Sequence, residues 1–275
     1  MRMGIGIGIP MPHALIKGGG VPAWSPLAYY AAGERGPWYS IRDIGTLWKD
    51  TAGTIPVTTA GDLVARIDDK SGNGLHATQS TPSKRASYQI DSNGNPYLLP
   101  DGLDDTYVIG PIDLTVTSQL TLMAGIRKLS DAAAGSVAEF NTNWLNGSGT
   151  FALFAPVGAS ATITTAARGS ASATGGHLAT ASSQTAPLSR VVTGLFGIAA
   201  DQNVLRLDGI QSATSSQDQG TGAFGNYTLY LFSRGGTSQF FSGRAYEFVL
   251  RGAASTPEEI ALGETFVGAG MGIAL

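Results

Sequence analysis

The spacing of its apolar runs restricts this chain most. Gln119–Arg127, Phe151–Phe154, Ser189–Ile198, Asn203–Leu207, Tyr227–Phe232 and Arg244–Leu250 are each short, and Gly, Asn and Asp turn formers separate them. In Arg244–Leu250, residues Tyr246, Phe248 and Leu250 share one face and Glu247 and Val249 the other, the period of two of an extended strand. Many short strands between turns predict a sandwich or barrel. Composition agrees: with 38 glycines in 275 residues and only 13% charged residues, the chain lacks the Glu and Lys that long surface helices use. Asn73-Gly74 and Asp208-Gly209 read as two-residue hairpin turns, because both central positions tolerate positive φ. One helix is expected near the C-terminus. Thr256-Pro-Glu-Glu259 is a capping box with proline at the first helical position, Ile260, Phe266 and Val267 form an apolar stripe, and Gly268, Gly270 and Gly272 end it. The fold class is therefore all-β and antiparallel, with a short C-terminal helix.

Residues 1–36 read as a separate arm and 37–275 as the body. Ile5, Ile7 and Ile9 alternate with glycines, which puts the three isoleucines on one face of a strand with no hairpin mate. An apolar edge of that kind needs a cover. An assembly arm that adds a strand to a neighbouring subunit supplies one; an edge strand of its own domain or a tail are the other readings. Residues 158–187 are Ala, Ser, Thr or Gly at 24 of 30 positions. They read as thin, closely packed strands or as a long surface excursion, with a linker as the plainer alternative.

Several functions are excluded in bulk. A net charge of −3 with no basic stripe argues against nucleic acid as a partner. The lack of cysteine removes disulfides, thiolate metal sites and cysteine nucleophiles. No apolar run approaches the ~18 residues of a membrane span, so no membrane partner is expected. The opening Met1–Pro10 run is broken by three glycines and lacks the long apolar core of a signal peptide, so synthesis without secretion is expected.

Six segments then occur in a familiar order. They are Trp38-Tyr-Ser-Ile-Arg-Asp43, Leu47-Trp-Lys-Asp-Thr-Ala-Gly-Thr-Ile-Pro-Val57, Asp69-Lys-Ser-Gly-Asn-Gly-Leu-His-Ala-Thr-Gln79, Asp101-Gly-Leu-Asp-Asp105, Leu205-Arg-Leu-Asp-Gly209 and Phe240-Phe-Ser-Gly-Arg-Ala-Tyr-Glu-Phe248. Over residues 37–275 the chain resembles the concanavalin A-like (laminin-G-like) β-sandwiches of bacteriophage structural proteins. That resemblance implies a lectin/glucanase-type jelly roll. It also implies a structural virion component in tail, baseplate or head decoration, made in the host cytoplasm, assembled as a homo-oligomer and contacting other virion proteins. A carbohydrate-binding adhesin for host glycans is the alternative, and a glycan-processing hydrolase the third reading; one sandwich carries many unrelated roles.

Candidate site residues follow from those readings. Trp144, flanked by Asn141, Asn143 and Asn146, combines an aromatic face with amide hydrogen bonders, as sugar sites do; the competing reading is a buried loop tryptophan. Asp104 and Asp105 are either turn residues or hard oxygen ligands for calcium, which some laminin-G-like proteins bind. Calcium is thus the one cofactor the sequence suggests. Catalytic residues are not expected. The Glu-x-Asp-x-x-Glu strand of glycosidases on this sandwich is missing, Glu139 and Glu247 stand alone, and Glu258, Glu259 and Glu264 belong to the helix. No Gly-x-Ser-x-Gly elbow is present, and His13, His76 and His177 have no partner at metal-ligand spacing. The chain therefore reads as a non-enzyme. A hydrolase would need two carboxyl groups roughly 5–10 Å apart in a groove.

Overall fold

The computed structural model describes residues 24–171 and 177–275. The isoleucines of the expected arm, Ile5, Ile7 and Ile9, lie outside the described residues. Among those described, the strands in chain order are β1 (Trp38–Ser40), β2 (Leu47–Trp48), β3 (Arg66–Ile67), β4 (Ala77–Thr78), β5 (Ser87–Ile90), β6 (Pro96–Leu99), β7 (Tyr107–Asp113), β8 (Gln119–Lys128) and β9 (Ser136–Phe140). They continue as β10 (Thr150–Phe154), β11 (Ile163–Arg168), β12 (Leu178–Ala181), β13 (Leu188–Gly197), β14 (Gln202–Leu207), β15 (Ile210–Ser215), β16 (Asn226–Leu231) and β17 (Gly243–Arg251), and α1 (Pro257–Met271) closes the fold.

Two antiparallel sheets face each other. One has eight strands in the order β15-β14-β13-β8-β17-β6-β5, with β1 also paired to β17; the other has nine, β12-β11-β10-β9-β16-β7-β4-β3-β2. The expected β-sandwich is present. Alternation sorts each strand between its faces. On β8, Leu122, Ala124 and Ile126 enter the core between the sheets, where Phe140, Phe151, Leu229 and Leu231 of the opposite sheet meet them. Met123 points the other way, to a second cluster that α1 covers with Ile260, Val267 and Met271.

The helix seats closely because glycine lies on both sides of the contact. A Cβ at Gly125 of β8 would stand 2.9 Å from Met271 Sδ, and one at Gly263 of α1 would collide with Tyr29 Oη. The capping box is complete: Thr256 Oγ1 accepts from Glu259 N at 3.2 Å, and Glu259 Oε2 accepts from Thr256 N at 2.8 Å. Residues 24–36, read from the sequence as arm, pack on the body instead. Tyr29 and Tyr30 join the cluster under α1, and Arg251 pairs with both Glu34 (2.7 Å) and Glu259 (2.8 Å).

Two turns came out differently from one another. Asp208 and Gly209 have φ of 48° and 81°, the I′ arrangement, and join β14 to β15 as expected. Asn73-Gly74 does not form a two-residue hairpin. It lies inside the loop between β3 and β4, where Asn73 Nδ2 donates to the carbonyls of Glu34 and Gly36. The small-residue stretch supplies strands β11 and β12, with Thr164, Thr165, Ala166 and Ala179 fully buried; short side chains let these strands lie close to their neighbours.

Candidate active site at an acidic corner

The chain leaves the eight-stranded sheet at the end of β6 and enters the nine-stranded sheet at β7. Residues 100–106 make that crossing, and they gather three carboxylates. Asp101 sits just past β6, bridged to Ser242. Gly102 has φ of 78°, and a Cβ there would stand 2.7 Å from Ser242 Cβ, so only glycine lets the corner press against β17's approach. One oxygen from each of Asp101, Asp104 and Asp105 can lie within 4.8 Å of the others.

The three carboxylates are not equivalent. Asp101 Oδ1 accepts from Leu103 N at 2.7 Å and from Asp104 N at 3.4 Å. Asp105 is only 5% exposed, and its Oδ2 accepts from Asp101 N at 3.0 Å. Burial pushes the Asp105 carboxyl up to about 6, and the charges of Asp101 and Asp104 add to the rise. A single backbone hydrogen bond opposes them.

Two clefts flank this corner and share Asp101 and Ser242. The larger, of about 420 Å³, is walled by Leu63, Pro82, Arg85, Leu99 and Asp105; the smaller, of about 240 Å³, by Ser130, Ala132, Phe240 and Gly102. Arg85 is held in place by carbonyls, donating to Gln79 O (2.9 Å) and Ser80 O (2.7 Å). The corner therefore offers a proton donor, a second carboxylate within reach of the same ligand, and a cationic wall. Three hard oxygen donors so close together also suit calcium.

Sequence reasoning found Asp104 and Asp105 as a pair but placed no chemistry on Asp101. The signal was the i, i+4 spacing of Asp101 and Asp105. It was sought on a strand, whereas a turn delivers it here.

The structure does not open Trp144 to a ligand. Its ring is 4% exposed and clusters with Ala152, Phe154 and Ala166 on the outer face of the nine-stranded sheet, so it presents no face for a sugar to stack on. Asn143 and Asn146 build the loop around it: Asn143 Oδ1 accepts from Leu145 N at 3.0 Å, and Asn146 N donates to Asn143 O at 2.9 Å. Three other carboxylates are buried and paired, Glu264 with Arg206 among them. Glu139 meets Arg234, and Glu247 meets Arg42 at 2.8 Å.

Neither a protein-family model nor a curated protein matches the chain. Solved structures do match in fold. An arabinofuranosidase complexed with arabinofuranosyl-α-1,2-xylobiose superposes with a TM-score of 0.56 at 16% identity, over 90% of this chain and 65% of that one. The ligand-binding domain of botulinum neurotoxin serotype D, in complex with N-acetylneuraminic acid, gives 0.53 at 10%, over 90% and 53%. Trypanosoma rangeli sialidase with the inhibitor DANA gives 0.50 at 14%, over 81% and 35%. The chain spans less than two thirds of each. At identities this low the likeness is one of fold alone, a shared β-sandwich.

Two expectations are corrected on this ground. The expected phage structural role finds no counterpart among these similar folds, which are an arabinofuranosidase, a toxin domain in complex with N-acetylneuraminic acid and a sialidase. The expectation of a non-enzyme rested on the missing pair of neighbouring carboxylates, and Asp101 and Asp105 form such a pair.

Proposed function

We propose that this protein acts on carbohydrate, as a glycoside hydrolase whose cleft lies at Asp101 and Asp105. The observation that carries the reading is the carboxylate pair itself. Two carboxyl groups line one cleft with oxygens within 4.8 Å, and burial lifts one of them to about 6. Glycoside cleavage uses one carboxyl as proton donor and a second as nucleophile or base, and a spacing of about 5 Å suits the retaining course. Asp105, protonated over a wider pH range than an ordinary aspartate, takes the donor role. Asp101 takes the other. The chain shares its sandwich with an arabinofuranosidase and with a sialidase, over 65% and 35% of those chains.

The experiment is hydrolysis of a panel of aryl glycosides and oligosaccharides by the purified chain, beside Asp105→Asn and Asp101→Asn. Cleavage that falls by about 10²–10⁴-fold in Asp105→Asn supports the reading. A panel that is neither cleaved nor bound removes it.

A second reading has its own observation, the third carboxylate. With Asp104 in the cluster, the corner would hold a calcium ion through Asp101, Asp104 and Asp105 and serve glycan binding, as an adhesin does. The two readings oppose each other at Asp105, because a bound cation holds a carboxyl ionised and unable to donate a proton. Glycan binding that needs calcium and is abolished by a chelator favours the second; hydrolysis indifferent to chelator favours the first.

A further inference from the structure

A different cleft carries a separate chemistry. It opens on the outer face of the eight-stranded sheet, beside the C-terminal end of α1, with a volume of about 360 Å³ and an almost wholly polar lining. Arg127 of β8 and Arg244 of β17 line it as direct cross-strand partners, and Ser189 of β13 lies opposite Arg127 on the other side. One row across three neighbouring strands thus reads Ser189, Arg127, Arg244, and Tyr246 follows on β17.

Like charges directly opposite each other on a sheet destabilise it, since their Cβ atoms stand only about 4.5–5.5 Å apart. Six of the nine other described arginines are neutralised, Arg42, Arg66, Arg190, Arg206, Arg234 and Arg251 each pairing with a carboxylate, while Arg35, Arg85 and Arg168 make no ion pair. Among the described residues, Arg127 and Arg244 make no ion pair. Arg127 donates from Nη1 to Ser189 Oγ at 3.1 Å, while the guanidinium carbon of Arg244 lies 4.5 Å from the centre of the Tyr97 ring. The Nε of each is buried without a hydrogen-bond partner.

Two negative features border the cleft. Asp91 is within electrostatic reach of Arg244, but it is committed to its own turn, accepting from Asn93 N (2.8 Å), Asn95 N (2.9 Å) and Asn95 Nδ2 (3.2 Å). The last carbonyls of α1 carry partial negative charge, and Gly272 N and Ile273 N already satisfy two of them, those of Gly268 and Ala269. Two guanidinium groups against one carboxylate leave the lining positive.

Planar forks of this kind match a carboxylate, which accepts two parallel N–H bonds. The cleft is within the range for a small ligand, and Tyr246, Ser189 and Asn93 add hydrogen bonders around the charge. We infer that the Arg127–Arg244 cleft binds the carboxylate of an acidic saccharide. This rests on the carbohydrate reading; the cleft shares no lining residue with the two at the Asp101–Asp105 corner, although Arg127 and Arg244 stand two residues from that corner's Leu129 and Ser242, respectively.

The test is titration of the full chain with D-glucuronate, D-glucose and inorganic sulfate, followed by calorimetry and by amide shifts at Ser189 and Gly272. Glucuronate should bind, more weakly as salt is raised, and glucose should bind about tenfold less tightly or not at all. Arg127→Met and Arg244→Met should each lose about tenfold or more in glucuronate affinity. Asp105→Asn should keep it, so that loss of hydrolysis and loss of this site are read separately. The amide shifts locate the ligand in the wild-type protein whether or not the variants fold. The inference is overturned by glucuronate binding no tighter than glucose, by sulfate binding without glucuronate binding, or by affinity unchanged in both arginine variants.

Discussion

Arg234 Nε donates to both carboxylate oxygens of Glu139, at 2.9 Å and 3.1 Å, on the outer face of the nine-stranded sheet. Glu139 Oε1 also accepts from Trp144 N at 2.8 Å, so one carboxylate holds both an arginine and the loop that covers it. Every partner is internal, and Glu139 is fully buried. This glutamate is a structural tie and not a reacting group. Arg234→Met leaves an uncompensated buried carboxylate and should cost about 3–5 kcal/mol. Replacing both partners with apolar residues of similar size should cost less than that single change, which denaturant unfolding of the three proteins would measure.

A second carboxylate makes stability depend on pH. Burial pushes Glu247 up to about 7, against the opposing effects of Arg42, Ser40 and Trp38. Its folded pKa thus lies above its ordinary value of 4.5, and the folded state holds a proton that the unfolded chain releases between those two values. Stability from this group is complete below the unfolded pKa and is lost as pH rises through about 7. Asp105 acts with the same sign between 3.8 and about 6. The melting temperature should therefore be higher near the low end of these windows than above them. Glu247→Gln should flatten the profile, and a profile unchanged by that substitution would count against the burial account.

Hydrolysis at the acidic corner should carry the signature of its donor. With Asp105 at about 6, the rate should fall as pH rises past that value, since the proton to be delivered is gone. Moving Arg85 away from the cleft wall should not abolish that limb. A rate that climbs through the same range would assign the proton donor elsewhere.

The seat of α1 sets one helix rule against another. Gly263→Ala gains about 0.8–1.0 kcal/mol of helix propensity. The added methyl would collide with Tyr29 Oη and Met123 Sδ, which lie in the fully packed cluster beneath the helix. Overpacking typically costs about 1–3 kcal/mol, so the net change should be destabilising. Thr256→Ala, which removes only the cap, should cost about 1 kcal/mol without moving the helix. Thermal melts of the two variants separate packing from capping.

The sandwich was legible because strand alternation and turn chemistry are local. Asp208-Gly209 formed its I′ turn, and Thr256 and Glu259 closed their box, but in Arg244–Leu250 a bulge between Ala245 and Glu247 turns Tyr246 to the outer cluster with Val249, away from Phe248 and Leu250. Asn73-Gly74 went astray because its asparagine found carbonyls at Glu34 and Gly36, contacts that no nearby residues announce. Trp144 shows the same limit, since its burial depends on Phe154 and Ala166 from two other strands. The arginine cleft lay further out of reach. Arg127 and Arg244 become neighbours only through the register of β8 with β17, which no local pattern encodes.

The loop between β3 and β4 has a consequence for how this molecule opens. Asp69 accepts from Trp38 N and Ser71 N through Oδ1, each at 2.9 Å, and from Ser71 Oγ (2.8 Å) and Leu75 N (3.0 Å) through Oδ2. Trp38 belongs to one layer and the loop to the other, so this carboxyl group ties the two layers at that end, beside the bond from Lys70 N to Trp38 O at 2.8 Å. Their amides there should exchange with solvent together, as one cooperative patch rather than as two independent edges.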